Sequence, residues 1–217
     1  MRDFAEYPKI PGPFKREVEG PNRNKVILGE WANETLAFLG ECDAPFVFTE
    51  KVDGTNIRVH WDGHRVEFGG RTDNAQIPAK LVARLTAVFT EELFEQVFAE
   101  TAVTLYGEGI GAGIQKGGGN YLPSPDFVLF DVLIGGWWLK REDVEDVANK
   151  LGIPVVPVVM TTTIGNAVHY LSEPRKSAWG DFQMEGLVGV PPVGLLNRAG
   201  QRVMVKVKAV DFLGRTE

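Results

Sequence analysis

Residues 46 to 61 read Phe-Val-Phe-Thr-Glu-Lys-Val-Asp-Gly-Thr-Asn-Ile-Arg-Val-His-Trp, and the interpretation of the chain depends on this stretch. An apolar strand at Phe46–Phe48 leads to Lys51, and apolar residues alternate with polar ones from Ile57 to Trp61. The pattern predicts a tight hairpin with Lys51 at a strand end. Gly54 can adopt a positive φ and would let the backbone approach a ligand that Lys51 faces. A solvated lysine on an ordinary hairpin is the alternative for so short a motif.

The composition is that of an ordinary globular protein. The chain has 217 residues, of which 44% are hydrophobic and 24% charged, so one large domain can form a core without disulfides or metals. The single cysteine, Cys42, excludes an internal disulfide and indicates a reducing compartment. The N-terminus has no apolar signal core, and the apolar run Ile153–Met160 is too short to span a bilayer. We therefore expect a cytoplasmic protein that does not associate with membranes.

The charge distribution constrains the partners. A formal net charge of -6 argues against a surface coated with basic residues for non-specific duplex binding, although basic residues can still concentrate on one face. Residues from about 1 to 25 are predicted to form an extended N-terminal arm. Lys9, Lys15 and Arg16 in this arm are candidates to contact phosphates. A solvated arm is the alternative.

Periodicity predicts both helices and strands. Four helices are predicted. One begins at Pro78, one begins after the N-cap Thr90, and the other two cover Glu142–Leu151 and Ile164–Leu171. The predicted later strands are Thr101–Tyr106, Phe127–Ile134, Ile153–Met160, Glu185–Val190 and Arg202–Lys208. The chain is therefore predicted to contain both helices and strands.

Two glycine-rich stretches present charged residues. Gly69-Gly70-Arg71 is a turn that presents Arg71, whose guanidinium is suited to hydroxyls or phosphates. Glu108 stands between two glycines after a predicted strand and could approach a ribose hydroxyl or a metal-bound water. A phosphate-binding loop is not indicated, because the glycines match neither nucleotide motif. For each residue, a turn or a flexible hairpin is the alternative.

Two strands carry charges that need an explanation. Phe130 and Asp131 are neighbours in an apolar strand and should point to opposite faces, so only one would face a ligand unless the strand bends there. Lys206 and Lys208 stand two positions apart and should lie side by side. On an edge strand, such lysines are a routine protection against aggregation.

Taken in order, the chain reads Glu-Lys-x-Asp-Gly-x-Asn, Gly-Arg-Thr, Gly-Glu-Gly, Phe-Asp, Glu-Gly-Leu-Val and Lys-Val-Lys. This series resembles the covalent nucleotidyltransferase superfamily of polynucleotide ligases and capping enzymes. It is most similar to the ATP-dependent RNA ligases of the phage and RNA-editing type, because Asn56 stands where DNA ligases and capping enzymes usually carry arginine. The resemblance runs from about Glu50 to Lys208 and implies an α+β, ATP-grasp-like nucleotidyltransferase domain of antiparallel sheets flanked by helices.

The resemblance also implies roles for individual residues. Lys51 would attack the α-phosphate of ATP and form a lysyl-AMP intermediate. An amine must be neutral to attack, and Lys206, Lys208 and a metal ion would favour that form and neutralise phosphate charge. Glu185 would position the ion, Mg²⁺ or Mn²⁺. The residues expected to bind the nucleotide are Glu50, Asn56, Arg71, Glu108, Phe130 and Asp131.

The implied reaction is the sealing of RNA 5′-phosphate and 3′-hydroxyl ends through an adenylylated RNA end. Residues 1–217 are expected to form a single nucleotidyltransferase domain without the C-terminal OB-fold or accessory domain of many relatives. RNA contacts would then come from the arm, from Lys116 or from an accessory RNA-binding protein. The alternatives are a small DNA-nick ligase, or a nucleotide- or RNA-end-binding module that does not complete ligation.

Overall fold

The computed structural model describes residues 4–215. The predicted arm at about 1–25 and the predicted domain at 1–217 both extend into residues 1–3 or 216–217, which lie outside the described residues. The chain divides into two compact units. The first unit comprises Met1–Tyr7 and Val52–Val156, and the second comprises Pro8–Lys51 and Pro157–Glu217.

Short runs of strands and helices follow one another along the chain in an α+β arrangement. The strands are β1 (Phe14–Arg16), β2 (Val26–Trp31), β3 (Phe46–Lys51), β4 (Thr55–Trp61), β5 (Val66–Gly69), β6 (Val103–Ile110), β7 (Asp126–Ile134), β8 (Trp137–Trp138), β9 (Val158–Thr162), β10 (Gly186–Val190) and β11 (Val205–Lys208). The helices are α1 (Glu34–Glu41), α2 (Ala79–Val88), α3 (Glu91–Phe98), α4 (Arg141–Leu151), α5 (Ile164–Tyr170) and α6 (Ala209–Phe212), and a short 3-10 helix covers Gly118–Asn120.

The first unit contains a five-stranded sheet in the order β5-β4-β6-β7-β8, with antiparallel neighbours. Residues on one face of β4, β5, β6 and β7 pack with helices α2, α3 and α4 into a single core. The helix ends follow the sequence signals, since the Thr90 hydroxyl accepts a hydrogen bond from the Leu93 amide and Gly152 ends α4 with φ 66°. In β4, Ile57, Val59 and Trp61 point into this core, so the polar residues that alternate with them point to the other face of the sheet.

That other face, which we call the polar face, carries Arg58, His60, Thr104, Tyr106 and Asp131. All but His60 are buried. The segment 4–7 lies over these residues, and its Phe4 ring stacks on the His60 imidazole at 4.7 Å. A buried polar side chain is costly unless it is hydrogen-bonded, so the contacts of this segment are part of what stabilises the sheet.

The second unit contains a four-stranded antiparallel sheet in the order β11-β10-β3-β9. Phe46 and Phe48 of β3 pack with the buried faces of α1, α5 and α6 into the core of this unit. Strands β1 and β2 form a separate two-stranded ladder. As an edge strand, β11 also receives part of the N-terminal segment, because the Lys206 amide donates to the Pro11 carbonyl at 2.9 Å.

The predicted hairpin at Asp53 and Gly54 is wrong. Strand β3 pairs with β10 and β9, whereas β4 pairs with β5 and β6, so the two strands belong to different sheets. Gly54 also does not have a positive φ. It is required for space, since a Cβ atom there would lie 2.2 Å from the Gly109 carbonyl oxygen.

Two further expectations need correction. Strand β6 continues to Ile110 through the Gly107-Glu108-Gly109 stretch, so Glu108 lies in a strand and not in a flexible hairpin. Only the last three residues of the apolar run Ile153–Met160 belong to a strand, because β9 begins at Val158. Within residues 4–215, none of the helices has the length and apolarity that crossing a membrane requires.

Candidate functional site

Lys51, Glu185 and Lys208 form a continuous ion-paired group in the second unit. The Lys51 Nζ atom lies 2.5 Å from Oε2 of Glu185, and the Lys208 Nζ atom lies 2.9 Å from Oε1 of the same carboxylate. The three side chains are 24%, 20% and 34% exposed, so they are accessible from solvent without being fully hydrated. The predicted nucleophile thus contacts the predicted metal ligand, and the other oxygen of that carboxylate contacts one of the predicted catalytic lysines.

Strand register explains how these residues meet. Gly186 lies opposite Lys51 on one side and opposite Lys208 on the other, because β10 is the strand between β3 and β11. Glu185 immediately precedes Gly186 and can therefore reach both lysines. A side chain at Gly186 would not fit, since its Cβ atom would lie 2.2 Å from the Val207 carbonyl oxygen. The Glu-Gly pair thus sets the approach of the three strands.

Lys206 lies on the same face of β11 as Lys208, two residues earlier, and its register partner on β10 is Val188. Both lysines are half-buried. The predicted pairing of these side chains on one face is therefore present in the strand, although β11 is also an edge strand.

Glu50 makes contacts that its predicted nucleotide-binding role did not include. Its carboxylate is buried, with Oε1 accepting a hydrogen bond from the Ser177 hydroxyl at 2.5 Å and Oε2 accepting one from the Ala178 amide at 2.9 Å. Both oxygens of the carboxylate therefore bind the hairpin that runs from Arg175 to Met184 and leads into Glu185. Sequence reasoning missed Ser177, because a serine in a polar loop has no pattern that points to a buried carboxylate.

Asn56 and Glu108 are cross-strand neighbours on the sheet of the first unit. The Oδ1 atom of Asn56 is buried and has no hydrogen-bond partner among the described residues. Buried polar atoms are nearly always paired in folded proteins, so an unpaired acceptor at this position is consistent with a missing ligand donor. Two of the predicted nucleotide-binding residues thus lie side by side.

Phe130 and Asp131 lie beside a β-bulge. Asp131 is in register with Tyr106 and Leu129 with Gly107, which leaves Phe130 without a register partner on β6. Leu129 and Val132 both belong to the core, so the extra residue puts Phe130 and Asp131 together on the polar face. The expected opposition of these two side chains does not occur, because the strand bends between them.

Tyr7 contacts both residues at the bulge. Its hydroxyl donates to Oδ2 of Asp131 at 2.8 Å, and its ring meets the Phe130 ring edge-on with centroids 4.9 Å apart. Tyr106 lies next to them, and burial raises the pKa of its phenol to about 12; Arg58 acts against this shift, and Asp131 adds to it. Tyr7 was not predicted as a functional residue, since the N-terminal segment was interpreted as a surface arm.

Arg71 lies on an exposed turn after β5 and makes no ion pair with the residues that the structure describes. Arg58 fixes this turn from below, since its Nε atom donates to the Gly70 carbonyl at 2.7 Å and its Nη2 atom to Asp73 at 3.0 Å. The predicted ligand contact is therefore held by a buried arginine that the sequence pattern did not single out.

The three predicted RNA contacts differ in their surroundings. Arg16 forms a bidentate ion pair with Asp211 and donates to the Asn24 carbonyl. Lys15 lies 3.4 Å from a Glu30 oxygen, and both side chains are more than half exposed. Lys116 is exposed and has no acidic partner among residues 4–215. Of the three, Lys116 is the residue with the least competition for a phosphate.

The donor set suits a divalent cation that a substrate helps to hold. Residues 4–215 contain no group of three or more His, Cys, Asp or Glu side chains that could bind a metal. Mg²⁺ is nevertheless often held by one or two carboxylates together with substrate phosphates. Glu185 fits this description, because its carboxylate is partly exposed and lies between two amines that attract phosphates.

Comparisons with solved structures show that other proteins share the fold of this chain. Structures of Naegleria gruberi RNA ligase variants have the same fold: one with ATP and Mn has a TM-score of 0.65 at 18% identity, covering 82% of this chain and 54% of that one. A second variant with ATP and Mn has a TM-score of 0.65 at 17% identity, with 96% and 62% covered. A variant with AMP and Mn has a TM-score of 0.62 at 19% identity, with 79% and 52% covered.

The chain therefore spans between about half and three fifths of the length of these solved proteins. A search of the curated proteins found no significant match. The family model described as RNA ligase matches residues 44–208, a range that includes Lys51, Glu185 and Lys208. The chain belongs to the RNA ligase family.

Proposed function

We propose that this protein is an ATP-dependent RNA ligase that joins 5′-phosphate and 3′-hydroxyl ends through a lysyl-AMP intermediate. The observation that carries the proposal is the group Lys51, Glu185 and Lys208 in a chain of the RNA ligase family. The related Naegleria gruberi proteins contain ATP or AMP with Mn, which supports ATP as the AMP donor and Mg²⁺ or Mn²⁺ as the cofactor.

In the first step, Lys51 Nζ attacks the α-phosphorus of ATP, and the bond from phosphorus to the bridging oxygen of pyrophosphate breaks. The amine must first lose its proton to solvent, and the positive charge of Lys208 and Lys206 favours the neutral form. Lys208 and Lys206 add positive charge on β11, where it can stabilise the negative charge of the phosphates. AMP then passes to a 5′-phosphate end, and a 3′-hydroxyl displaces it.

Other predicted residues would bind the nucleotide. Asn56 and Glu108 offer an acceptor and a carboxylate to the nucleoside, and Arg71 offers an exposed guanidinium. Phe130 offers a ring for stacking on adenine. Glu185 would hold the divalent cation, which when bound neutralises phosphate charge.

The location and partners belong to the same proposal. A cytoplasmic location is supported by the single cysteine, Cys42, which is exposed and unpaired. RNA would contact the exposed Lys116 and the basic residues Lys15 and Arg16, with or without an accessory RNA-binding protein.

The decisive experiment incubates the protein with α-labelled ATP and Mg²⁺ and follows label on the denatured chain. We expect a covalent label that Lys51→Ala abolishes and that Lys80→Ala, at an exposed position on α2, retains. An unlabelled wild-type protein would contradict the lysyl-AMP step and favour a binding module. Sealing of nicked RNA, RNA:DNA hybrids and DNA then separates an RNA ligase from a DNA-nick ligase.

A further inference from the structure

The segment 4–7 is tied to the polar face by a fully buried arginine. The guanidinium of Arg58 donates to the Phe4 carbonyl at 3.0 Å and lies 4.9 Å from the centroid of the Phe4 ring. The same guanidinium binds the Gly70 carbonyl and Asp73. Because the buried Arg58 guanidinium binds all of these partners, its position is fixed, and it fixes the backbone of Phe4 and Gly70 relative to the sheet.

The rest of the segment is tied in the same way. The Tyr106 hydroxyl donates to the Ala5 carbonyl at 3.0 Å, and the Tyr7 hydroxyl donates to Asp131 at 2.8 Å. The Tyr7 ring also packs edge-on against Trp138, with centroids 5.6 Å apart. Residues 4–7 are therefore not a loose arm but a fixed layer over the sheet.

Tyr7 is the residue of this layer that meets the bulge. Phe130 has no register partner on β6, so side-chain contacts contribute more to the orientation of its ring than they would in a regular ladder. The Tyr7 ring contacts Phe130 and its hydroxyl binds Asp131, which is buried. One side chain thus fixes both of the residues that the bulge brings to the polar face.

We propose that Tyr7 is a positioning residue for the adenine subsite, which orients the Phe130 ring and the Asp131 carboxylate for the base of ATP. The proposal rests on the proposed function, in which Phe130 stacks on adenine. Tyr7 acts through its neighbours and takes no part in phosphoryl transfer. Its loss should therefore weaken nucleotide binding and spare the chemical step.

The test measures lysyl-AMP formation as a function of ATP concentration. Tyr7→Phe keeps the ring and removes the hydroxyl, and we expect the ATP concentration at half-maximal rate to rise about fivefold while the maximal rate stays within about twofold. Tyr7→Ala also removes the ring contact, and we expect a rise of about tenfold or more. The matched control is Tyr170→Phe, whose ring packs under Arg175 in the second unit at 4.4 Å. This control should behave like the wild type.

A binding measurement makes the result independent of catalysis. ATP affinity is measured by calorimetry in the Lys51→Ala background, alone and combined with Tyr7→Phe or with Tyr7→Ala, and we expect losses of about fivefold and of about tenfold or more. Unchanged ATP affinity in both Tyr7 variants would overturn the positioning role. A lower maximal rate together with lower thermal stability and an unchanged half-maximal ATP concentration would also overturn it, because that pattern indicates a structural role. Absence of lysyl-AMP in the wild type would instead contradict the proposed function, and the calorimetric comparison would still test Tyr7.

Discussion

Glu185 connects to Lys51 through a 2.5 Å contact between carboxylate and amine, and its second oxygen binds Lys208. The nucleophile of the proposed reaction is therefore tied to a carboxylate that lies one residue before the strand between β3 and β11. A change at Glu185 should consequently affect chemistry more than folding.

Glu185→Gln keeps the shape of the side chain and removes its charge. We expect lysyl-AMP formation to slow about a hundredfold, because the charged partner of both lysines is lost where charge develops. The free energy of unfolding should change by no more than about 1 kcal/mol, since partly exposed ion pairs contribute little. Rates of labelling with α-labelled ATP and urea denaturation give the two values. Glu173→Gln, which removes an exposed carboxylate that pairs with Arg175, is the control and should label at the wild-type rate. Equal rates for the two variants would contradict the role of Glu185.

Ser177→Ala tests the anchoring of the hairpin before Glu185. The change leaves Oε1 of the buried Glu50 without its hydroxyl donor, so we expect a loss of about 1–3 kcal/mol in the free energy of unfolding. Urea denaturation measures it. Ser172→Ala removes a serine hydroxyl that donates to the His169 carbonyl near the surface of the same unit, and it should cost less than about 1 kcal/mol. A smaller loss in the free energy of unfolding for Ser177→Ala than for Ser172→Ala would show that the hydrogen bond from Ser177 to Glu50 does not anchor the hairpin.

Gly54→Ala tests the close approach that replaces the expected hairpin. The added Cβ atom would lie 2.2 Å from the Gly109 carbonyl oxygen and 2.7 Å from Glu108 Cγ, so the backbone has to shift. We expect a loss of about 1–3 kcal/mol in the free energy of unfolding. Gly117→Ala, in the same unit, places its Cβ atom 3.8 Å from Asn120 and should be tolerated. Thermal unfolding of both variants is the measurement, and equal midpoints would show that the backbone at Gly54 adapts without cost.

Ionisation of Tyr106 should lower the free energy of unfolding of the protein at alkaline pH. Burial raises the pKa of its phenol from 10.0 to about 12, so the folded protein keeps a proton that the unfolded chain releases. The stabilisation is fully present below pH 10 and is lost as the pH rises toward 12. Its full size is about 2–3 kcal/mol. Urea denaturation between these pH values measures it, and Tyr106→Phe should flatten the decline. An unchanged slope in Tyr106→Phe would exclude this tyrosine as the cause.

Lys116→Ala and Arg16→Ala should affect different properties. Lys116 has no acidic partner among the described residues, so we expect its loss to weaken RNA binding. The slope of log RNA affinity against log salt concentration should fall by about one phosphate contact. Lysyl-AMP formation should not change. Arg16 already binds Asp211, and its loss should also reduce stability, by up to about 1 kcal/mol. Fluorescence anisotropy with labelled RNA at several salt concentrations is the measurement. Unchanged RNA affinity in the Lys116 variant would remove it from the interface.

Local sequence signals predicted the elements well and their partners poorly. Helix α3 begins after Thr90 and α4 ends at Gly152 as predicted, because caps act within a few residues. The hairpin after Lys51 was wrong, because two consecutive strands with suitable turn residues can each find other neighbours, and the sequence does not encode that choice locally.

The candidate site shows the same division. The motif order pointed to Lys51, Glu185 and Lys208, which the strand register brings together. The bulge at Phe130 could not be predicted, since it depends on which residue of β6 lies opposite. The contacts of Ser177 and Tyr7 depend on side chains that are more than 120 residues away along the chain, a separation that periodicity cannot span.

The pairing of β3 has a consequence for synthesis on the ribosome. This strand, which ends at Lys51, finds its neighbours β9 and β10 only after residue 157, whereas the strands of the first unit's sheet are all made by Trp138. Phe46 and Phe48 therefore lack their native strand partners until more than 100 further residues have left the ribosome. The lysine at the end of this strand acquires Glu185 and then Lys208 from the C-terminal strands, so a nascent chain cannot assemble the group before residue 208 has been made.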